Sequence, residues 1–379
     1  MAYPNQTQVY ESGVWASDAI EYKFTYPDGQ QVTMLELWDK VVLATAEWNK
    51  KELTILSTFC TRTSEKVKEV IEGGGAVFTP TGEFGKADAY GKVKWNIVEV
   101  GLEGFQASFG WTKLFQMVNK SAGAIVNRFN AILEADARQR YFAMLARFFD
   151  NAPATVVDPL DRRTYTNYPF YYGDADNDKP PRRGQHTFAP GHNHFTFKDS
   201  ATVTEVELKA QIDTVKEHGF VNKVFILASP TTVATIMAFT AAQKIIAVSG
   251  FGQPGYSTTG TTQATLTAEV PLNAFMTQVG MYYGAIVVRS WEMPDNYVVC
   301  WSAEGTPDKM PMAYLEPADA AFKGLRIIRD NLYLYPFLGA EFHRYYGMGI
   351  QQRGNGAVMY FAGGAAAYVV PDLVYDPLA

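Results

Sequence analysis

One long, uninterrupted helical pattern constrains the fold of this chain more than any other feature. From Ser121 to Phe149, apolar side chains recur at steps of three and four residues, and neither Gly nor Pro follows Gly123 within the run. A helix of this length measures roughly 40 Å, at about 1.5 Å per residue. We expect it to be the axis of a wide, thin domain, which a compact enzyme core rarely needs.

Shorter elements are predicted before this helix. Thr33 and Glu36 have the spacing of a capping box, so a helix is predicted from there to about Lys50. Another helix is predicted over residues 64–72, ended by the glycines that follow. Residues 78–109 have the glycines and alternating apolar residues of a long two-stranded hairpin. Because an isolated hairpin is marginal in water, we expect a neighbouring subunit to support it.

Residues 151–200 are rich in Pro, Tyr, Asp and Arg and show no periodicity, which predicts an interaction loop. A capping box at Thr204 then predicts a helix that ends at His218. Residues 224–227 are typical of a buried strand. The Ser-Pro pair at 229–230 predicts the start of the next helix, because Pro at the first helical position loses no needed donor.

The last third of the chain predicts mainly strands. Residues 285–288 and 297–300 are apolar strand segments and indicate a second β-containing domain. Residues 341–353 and 357–361 are predicted as the final two strands. The Asn-Gly pair at 355–356 between them is a strong signal for a tight hairpin.

Composition excludes several classes of protein. Hydrophobic residues make up 47% of the sequence and charged residues 19%, as in a folded globular chain. The net charge of −6 offers no basic field to hold nucleic acid or anionic lipid. Cys60 and Cys300 are too few for a disulfide framework, which fits a reducing cytoplasm. The uncharged run at 224–243 contains Pro and several Thr residues, so no membrane span is expected.

Glycines at 250, 252 and 255 satisfy the phosphate-binding pattern G-x-G-x-x-G. Pro254 lies inside the motif and a polar loop follows it in place of a helix, so a mobile glycine-rich loop is the preferred interpretation. Asp174, Asp176 and Asp178 are spaced like the start of a calcium loop, but Lys and Gln occupy the later Gly and Glu positions. We expect a solvated turn there.

His192 and His194, with His186 nearby, suggest a metal site because imidazoles are common ligands. A catalytic zinc site typically has three protein ligands and an open position, and no third ligand is evident beside this pair. Hydrogen bonding at an interface is therefore expected, with no metal and no cofactor. Hydrolase motifs such as G-x-S-x-G and H-E-x-x-H are absent from the sequence, and we expect no catalytic residues and no enzyme.

Basic and aromatic residues are interleaved within residues 158–183, a pattern that can bind nucleic acid or another protein. Several aspartates in the same segment favour contact between subunits. The residues concerned are Arg162, Arg163, Arg182 and Arg183 among Tyr165, Tyr168, Tyr171 and Tyr172.

The order of these segments resembles the Hong Kong 97-type major capsid protein of tailed bacteriophages, over nearly the whole chain. The run 105–151 leads from strand residues through Thr112 and Lys113 into the long helix. Residues 284–302 are similar to the family's glycine, apolar strand, short turn and strand. The tail 331–361 is similar to its final return.

The resemblance implies an α+β Hong Kong 97-like capsid fold. Its expected parts are an N-terminal arm at 1–75, an extended β-hairpin loop at 76–112, a peripheral domain at 113–235 with the spine helix at about 121–149, an axial domain at 236–329 and a return to the peripheral domain at 330–379. Expected inter-subunit contacts are Glu83, Phe84, Lys86, Lys92, Lys94, Trp95, Arg162, Arg163, Tyr171, Arg182 and Arg183. Cross-linking through the loop lysines is not predicted, because no partner asparagine is identified.

The implied function is a subunit that self-assembles, as pentamers and hexamers, into an icosahedral shell around packaged double-stranded DNA, without sequence specificity. Expected partners are copies of itself, a portal protein, a decoration protein and a separate scaffolding protein, since Thr33 follows too soon after Met1 for a cleaved scaffolding segment. The expected location is the virion capsid, assembled in the bacterial host cytoplasm. The alternative is an encapsulin-type compartment around a cargo protein, although encapsulins tend to be shorter. An α/β enzyme with a phosphate loop at 250–262 is a remote third.

Overall fold

The structure is a computed structural model of the chain. It describes residues 23–25, 29–51, 58–74, 93–112, 122–173, 178–183, 186–240, 242–246, 255–257, 270–272, 274–329 and 337–373. Among these, no helix is both long and apolar enough to cross a bilayer.

The helices are α1 (Met34–Lys51), α2 (Ala122–Phe149), α3 (Glu205–Glu217) and α4 (Pro230–Ile236). Short 3-10 turns lie at Pro307–Lys309 and Ala320–Phe322. The strands are β1 (Lys23–Thr25), β2 (Gln31–Thr33), β3 (Cys60–Thr63), β4 (Val67–Gly74), β5 (Val93–Glu99), β6 (Glu103–Thr112), β7 (Ala154–Val157), β8 (Thr164–Asn167), β9 (Phe195–Asp199), β10 (Lys223–Ala228), β11 (Ala242–Ile246), β12 (Gly255–Ser257), β13 (Val270–Pro271), β14 (Thr277–Tyr282), β15 (Ala285–Arg289), β16 (Tyr297–Ala303), β17 (Met312–Leu315), β18 (Arg326–Arg329), β19 (Phe337–Ile350) and β20 (Ala357–Ala362).

The chain divides into two compact units. Unit 1 comprises Met1–Leu53, Leu102–Arg140 and Glu316–Tyr346, and unit 2 comprises Thr54–Gly101, Tyr141–Leu315 and Gly347–Ala379. Helix α2 and strand β19 each contribute residues to both.

Unit 1 is built on α1, the first part of α2 and three antiparallel strands in which β19 lies between β6 and β18. Its core contains the apolar faces of both helices. Leu37 and Trp38 of α1 and Ile125 and Phe129 of α2 are buried, together with Phe342 of β19. The spacing of these helical residues is the periodicity that the sequence shows.

A single carboxylate joins several elements inside unit 1. Asp136 accepts hydrogen bonds from Arg140 Nη2 at 2.8 Å, Arg344 Nη2 at 3.0 Å and Trp48 Nε1 at 3.0 Å. The side chains of Asp136, Arg140 and Arg344 are 7%, 1% and 3% exposed. Burial raises the pKa of Asp136, and this effect is opposed by Arg344 and by the hydrogen bond from Trp48. Asn49 adds a further link, because its side chain bonds both backbone groups of Leu325.

Unit 2 is centred on a mixed sheet with the order β12-β11-β14-β15-β10-β16-β20-β9, to which β13 adds beside β14. Pairing is parallel between β10 and β15 and between β20 and β9, and antiparallel elsewhere. Helices α3 and α4 bury their apolar faces against this sheet. Cys60 and Cys300 are buried free thiols, and burial raises the pKa of both.

Several local predictions are confirmed. The capping box at Thr33 and Glu36 is formed, with both backbone-to-side-chain hydrogen bonds present. The long helix begins at Ala122 and ends at Phe149. Thr204 caps α3, and Ser229 caps α4 with Pro230 at its first turn.

The helix predicted over residues 64–72 is wrong. Val67–Gly74 is strand β4, paired antiparallel with β5. The long hairpin predicted over 78–109 is also paired differently, since β5 pairs with β4 and β6 pairs with β19. Residues 75–92 between β4 and β5 lie outside the described residues. Long-range pairing has overridden the local helical spacing of the valines and isoleucine in β4.

The tight hairpin predicted at residues 355–356 is wrong. Strand β20 pairs with β16 and β9, and β19 pairs with other strands. Asn355 is buried, and its side chain is satisfied there by hydrogen bonds with the backbone N–H and carbonyl of Ser302 and with the carbonyl of Lys309. Gly356 lies against the Phe170 ring, where an added Cβ would be 2.1 Å from the nearest ring carbon. The glycine is required by this close approach and not by a turn.

The interaction loop predicted over residues 151–200 has more regular structure than expected. Strands β7 and β8 form an antiparallel hairpin, and β9 joins the main sheet of unit 2. Strand β10 lies between β15 and β16 in that sheet, so the boundary expected between residues 235 and 236 does not coincide with a break in it. The arm, loop and domain assignments stay predictions.

Candidate functional site

The β4–β5 pair, here called the ribbon (67–74 and 93–99), has an exposed apolar face. Ile71 pairs with Trp95 and Glu69 pairs with Ile97, which places these side chains on one face. On that face Val67, Ile71, Trp95 and Ile97 are 51%, 50%, 54% and 56% exposed. Val70 and Val98 point to the opposite face and are buried. A two-stranded sheet with an uncovered apolar face is suited to packing against another surface.

A network of charges anchors the ribbon within unit 2 at the end where β4 and β5 lead into residues 75–92. The ammonium group of Lys94 lies 3.0 Å from Glu72 Oε2 and 2.8 Å from Asp178 Oδ1. Tyr171 donates a hydrogen bond to Glu72 at 2.8 Å, and Arg353 donates to Asp178 at 3.1 Å. The guanidinium of Arg353 also lies over the Tyr171 ring, 4.6 Å from its centroid. These contacts cross-connect the ribbon to the residues before β9 and before β20.

The turn between β7 and β8 holds a second set of charges next to the ribbon. Lys66 lies 2.8 Å from the carboxylates of both Asp158 and Asp161. The hydrogen bond from Lys66, followed by those from the Arg163 backbone and Tyr165, holds the pKa of Asp161 well below its ordinary value. Arg162 has the left-handed backbone that this turn requires, with φ of 63°.

The predicted contact residues have different surroundings. The side chains of Arg162, Arg163, Arg182, Arg183 and Trp95 are exposed. Tyr171 is 1% exposed and is packed within its own chain, while Lys94 is engaged in the anchoring network. Glu83, Phe84, Lys86 and Lys92 lie outside the described residues, as do Asp174, Asp176, Gly250 and Gly252. Their roles stay predictions.

Three histidines of unit 2 converge at their Nε2 atoms. His192 and His194 precede β9, and His218 is the C-cap residue of α3. The Nε2 atom of His218 lies 3.0 Å from that of His192 and 3.0 Å from that of His194. The sequence shows no third ligand beside the pair at 192 and 194, and the structure brings His218 to that position. His186 is an exposed residue whose backbone pairs with Arg183.

The hydrogen-bonding partners fix one member of this cluster. His194 Nδ1 is bonded to the carbonyl oxygen of Gly356, so Nδ1 carries the proton and Nε2 presents a lone pair when the ring is neutral. Burial, followed by the neighbouring histidines, lowers the pKa of His194 well below its ordinary value. Burial, then His192 and Arg183, lowers the pKa of His218 to about 3. Glu217 is close by, with Oε1 3.2 Å from His192 Nε2.

No sequence signal could have revealed His218 as part of this cluster. It lies 24 residues after His194 in the chain. In the sequence it marks only the end of a helix, before the glycine that follows, and nothing links it to the other two histidines. Only the packing of α3 beside the segment before β9 brings the rings together.

No protein-family model matches the chain, and no curated protein matches it. Among solved structures, one from Mycobacterium phage Patience is similar, with a TM-score of 0.64, 20% identity and 94% of each chain covered. The capsid of the native GTA particle has a TM-score of 0.47 and 12% identity, over 82% of this chain and 90% of that chain. The holo-SrpI encapsulin complex from Synechococcus elongatus PCC 7942 has a TM-score of 0.43 and 13% identity, over 81% and 87%.

The fold assignment rests on the first of these likenesses, which spans nearly the whole of both chains. This likeness agrees with the architecture described above, which combines one long helix, a mixed sheet and a long strand that pairs antiparallel with its neighbours. The chain has the Hong Kong 97-type capsid fold.

Proposed function

We propose that this chain is the major capsid subunit of a tailed bacteriophage, and that many copies close into an icosahedral shell around packaged double-stranded DNA. The observation that carries the proposal is the exposed apolar face of the ribbon, in a chain with the Hong Kong 97-type fold. Burial of apolar surface contributes about 25 cal/mol per Å², so covering this face by a neighbouring chain would favour assembly.

The anchoring network supports the same function. A two-stranded sheet can hold a neighbour in a defined place only if the sheet itself is fixed, and Lys94 with Glu72 and Asp178 fixes the end of the ribbon next to residues 75–92. The Glu72 side chain is 3% exposed, which makes this ion pair less accessible to salt than a surface pair. We propose that the ribbon, the loop that it frames and the exposed arginines of 162–163 and 182–183 contact adjacent subunits.

The remaining assignments extend this proposal. Residues 1–75 would form the arm, 76–112 the extended loop, 113–235 and 330–379 the peripheral domain and 236–329 the axial domain. A portal protein, a scaffolding protein and a decoration protein would join the pentamers and hexamers during assembly in the host cytoplasm. With a net charge of −6, the subunit would enclose DNA without binding a particular sequence.

The test is assembly of the full chain, alone and with its scaffolding protein, followed by sedimentation and negative-stain microscopy. We expect closed shells from the wild-type chain. The double variant Val67→Thr with Ile97→Thr removes apolar contact from the ribbon and should raise the concentration needed for assembly by about tenfold or more.

The matched control is Val206→Thr with Val221→Thr. It makes the same kind of change outside the ribbon, at Val206 in α3 and at Val221 after it, whose side chains are 79% and 51% exposed. This control should assemble like the wild type. A monomer that never assembles under any of these conditions would overturn the proposal. Shells that form but retain a protein cargo and exclude DNA would instead identify an encapsulin-type compartment.

A further inference from the structure

We propose that His192, His194 and His218 form a binding site for one divalent transition-metal ion of the zinc class, held by their three Nε2 atoms. The site lies within unit 2 of a single chain. It is therefore independent of whether the chain builds a shell, and its test can fail without affecting the proposed function.

The spacing of the three nitrogens is close to that of zinc ligands. Zinc binds imidazole nitrogen at about 2.0–2.1 Å, which places two ligands of a tetrahedral ion about 3.3 Å apart. The Nε2 atom of His218 is 3.0 Å from each of the other two, and all three ligand atoms lie within 4.8 Å of one another. The two distances from His218 are within a few tenths of an ångström of this value, and the separation between His192 and His194, at most 4.8 Å, would shorten as an ion is seated.

The protons on the histidine rings also favour a metal ion. His194 uses its only N–H on the carbonyl of Gly356, so its Nε2 is a bare lone pair. If His218 Nε2 carries a proton, it can donate to His194, and a proton on His192 Nε2 is then left to Glu217 Oε1, 3.2 Å away. If it carries none, two lone pairs face each other at 3.0 Å between His218 and His194. A metal ion turns all three nitrogens into ligands at once.

The surroundings of the histidine rings suit a bound metal ion. A ligating histidine commonly donates its other N–H to a backbone carbonyl, as His194 does to Gly356. His218 caps the C-terminus of α3, an end that favours cations. Phe188 stacks on the His218 ring at a centroid distance of 4.4 Å and limits the approach of water on that side.

Charges beside the cluster have both signs. Glu217 Oε1 lies 3.2 Å from His192 Nε2 and 3.7 Å from His218 Nε2, close enough to offer a fourth ligand. Arg183 is a nearby cation, and its guanidinium donates to the carbonyl of Lys216 at 2.7 Å. Arg353 also acts electrostatically on His194, but its own charge is paired with Asp178. The Glu217 carboxylate offsets the charge of Arg183.

Such a site would be structural. It would join the segment before β9 to the end of α3 and, through the bond from His194 to Gly356, to the residue before β20. We therefore expect bound metal to stabilise unit 2 against unfolding, in proportion to the logarithm of free metal above the dissociation constant.

The test uses the full-length chain without an affinity tag, treated with EDTA and then freed of chelator. It is titrated with Zn²⁺ alone and with Co²⁺ alone. Bound zinc is measured by mass spectrometry of the metal after gel filtration, and bound cobalt by its visible absorption. We expect one Zn²⁺ per chain, intense cobalt bands of a low-coordinate site and a melting temperature that rises with zinc.

His192→Gln removes the most accessible ligand, whose side chain is 20% exposed, and should weaken zinc binding by at least about tenfold. His186→Gln is the control, because it changes a histidine outside the cluster, and it should bind zinc like the wild type. His218→Gln removes a more buried ligand, and if it fails to fold, His192→Gln still decides the question. A chain that takes up no zinc, or a His192→Gln variant that binds it unchanged, would overturn the proposal.

Discussion

Replacing Asp136 should destabilise unit 1 more than any other single polar substitution described for it. Asp136→Asn keeps the size of the side chain and removes its charge, which leaves the buried guanidinium groups of Arg140 and Arg344 without their shared carboxylate. Breaking a buried ion pair by removing one partner costs about 3–5 kcal/mol. Burial already raises the pKa of Asp136, so its charged form stabilises the folded state less than a fully favourable ion pair would. We therefore expect a loss of stability at the lower end of this range, about 3 kcal/mol.

The assay is urea unfolding combined with hydrogen exchange measured on peptides from α1 and from residues 122–140 of α2, so that unit 1 is observed separately. Trp48→Phe is the comparison, because it removes only the bond from Trp48 Nε1 to Asp136, and it should cost about 1 kcal/mol. In the double variant, the Trp48→Phe effect should shrink, since its partner has changed. A loss below about 1 kcal/mol for Asp136→Asn would refute the reasoning.

Three further outcomes follow from unit 2. Gly356→Ala should destabilise it by about 1–3 kcal/mol, because the new methyl group meets a buried aromatic ring, whereas Gly363→Ala, with nothing within 4 Å, should be neutral by thermal denaturation. Asp161→Asn should be less stable than wild type above about pH 4, and this difference should shrink steadily as the pH is lowered from 4 to 2, because an acid with a lowered pKa loses its stabilising effect as it is protonated; a constant difference over this range would contradict this. Lys94→Met should cost about 2 kcal/mol and speed hydrogen exchange in residues 93–99, measured by mass spectrometry; unchanged exchange there would contradict the anchoring role.

Local chemistry in the sequence predicted the helices well. The capping boxes at Thr33 and Thr204 and the Ser-Pro start of α4 depend on neighbouring residues only, and all three form as predicted. The long helix likewise follows from periodicity that no Gly or Pro interrupts. These features need no information about the rest of the chain.

Pairing between distant strands could not be predicted in the same way. Residues 67–74 have helical spacing, but their partner β5 makes them a strand. Asn355 and Gly356 have the composition of a tight turn, but a hydrogen bond to Ser302 and contact with Phe170 place them inside unit 2. The cluster completed by His218 depends on the same kind of long-range packing.

The position of β20 has a consequence for biosynthesis. It fills the place between β16 and β9, so the main sheet of unit 2 cannot close while the ribosome still holds residues 357–362. Until then β16 presents an unpaired edge, which other strands can occupy wrongly. Translation must therefore pass residue 362 before unit 2 is complete, and a polypeptide terminated earlier lacks the strand that joins β16 to β9.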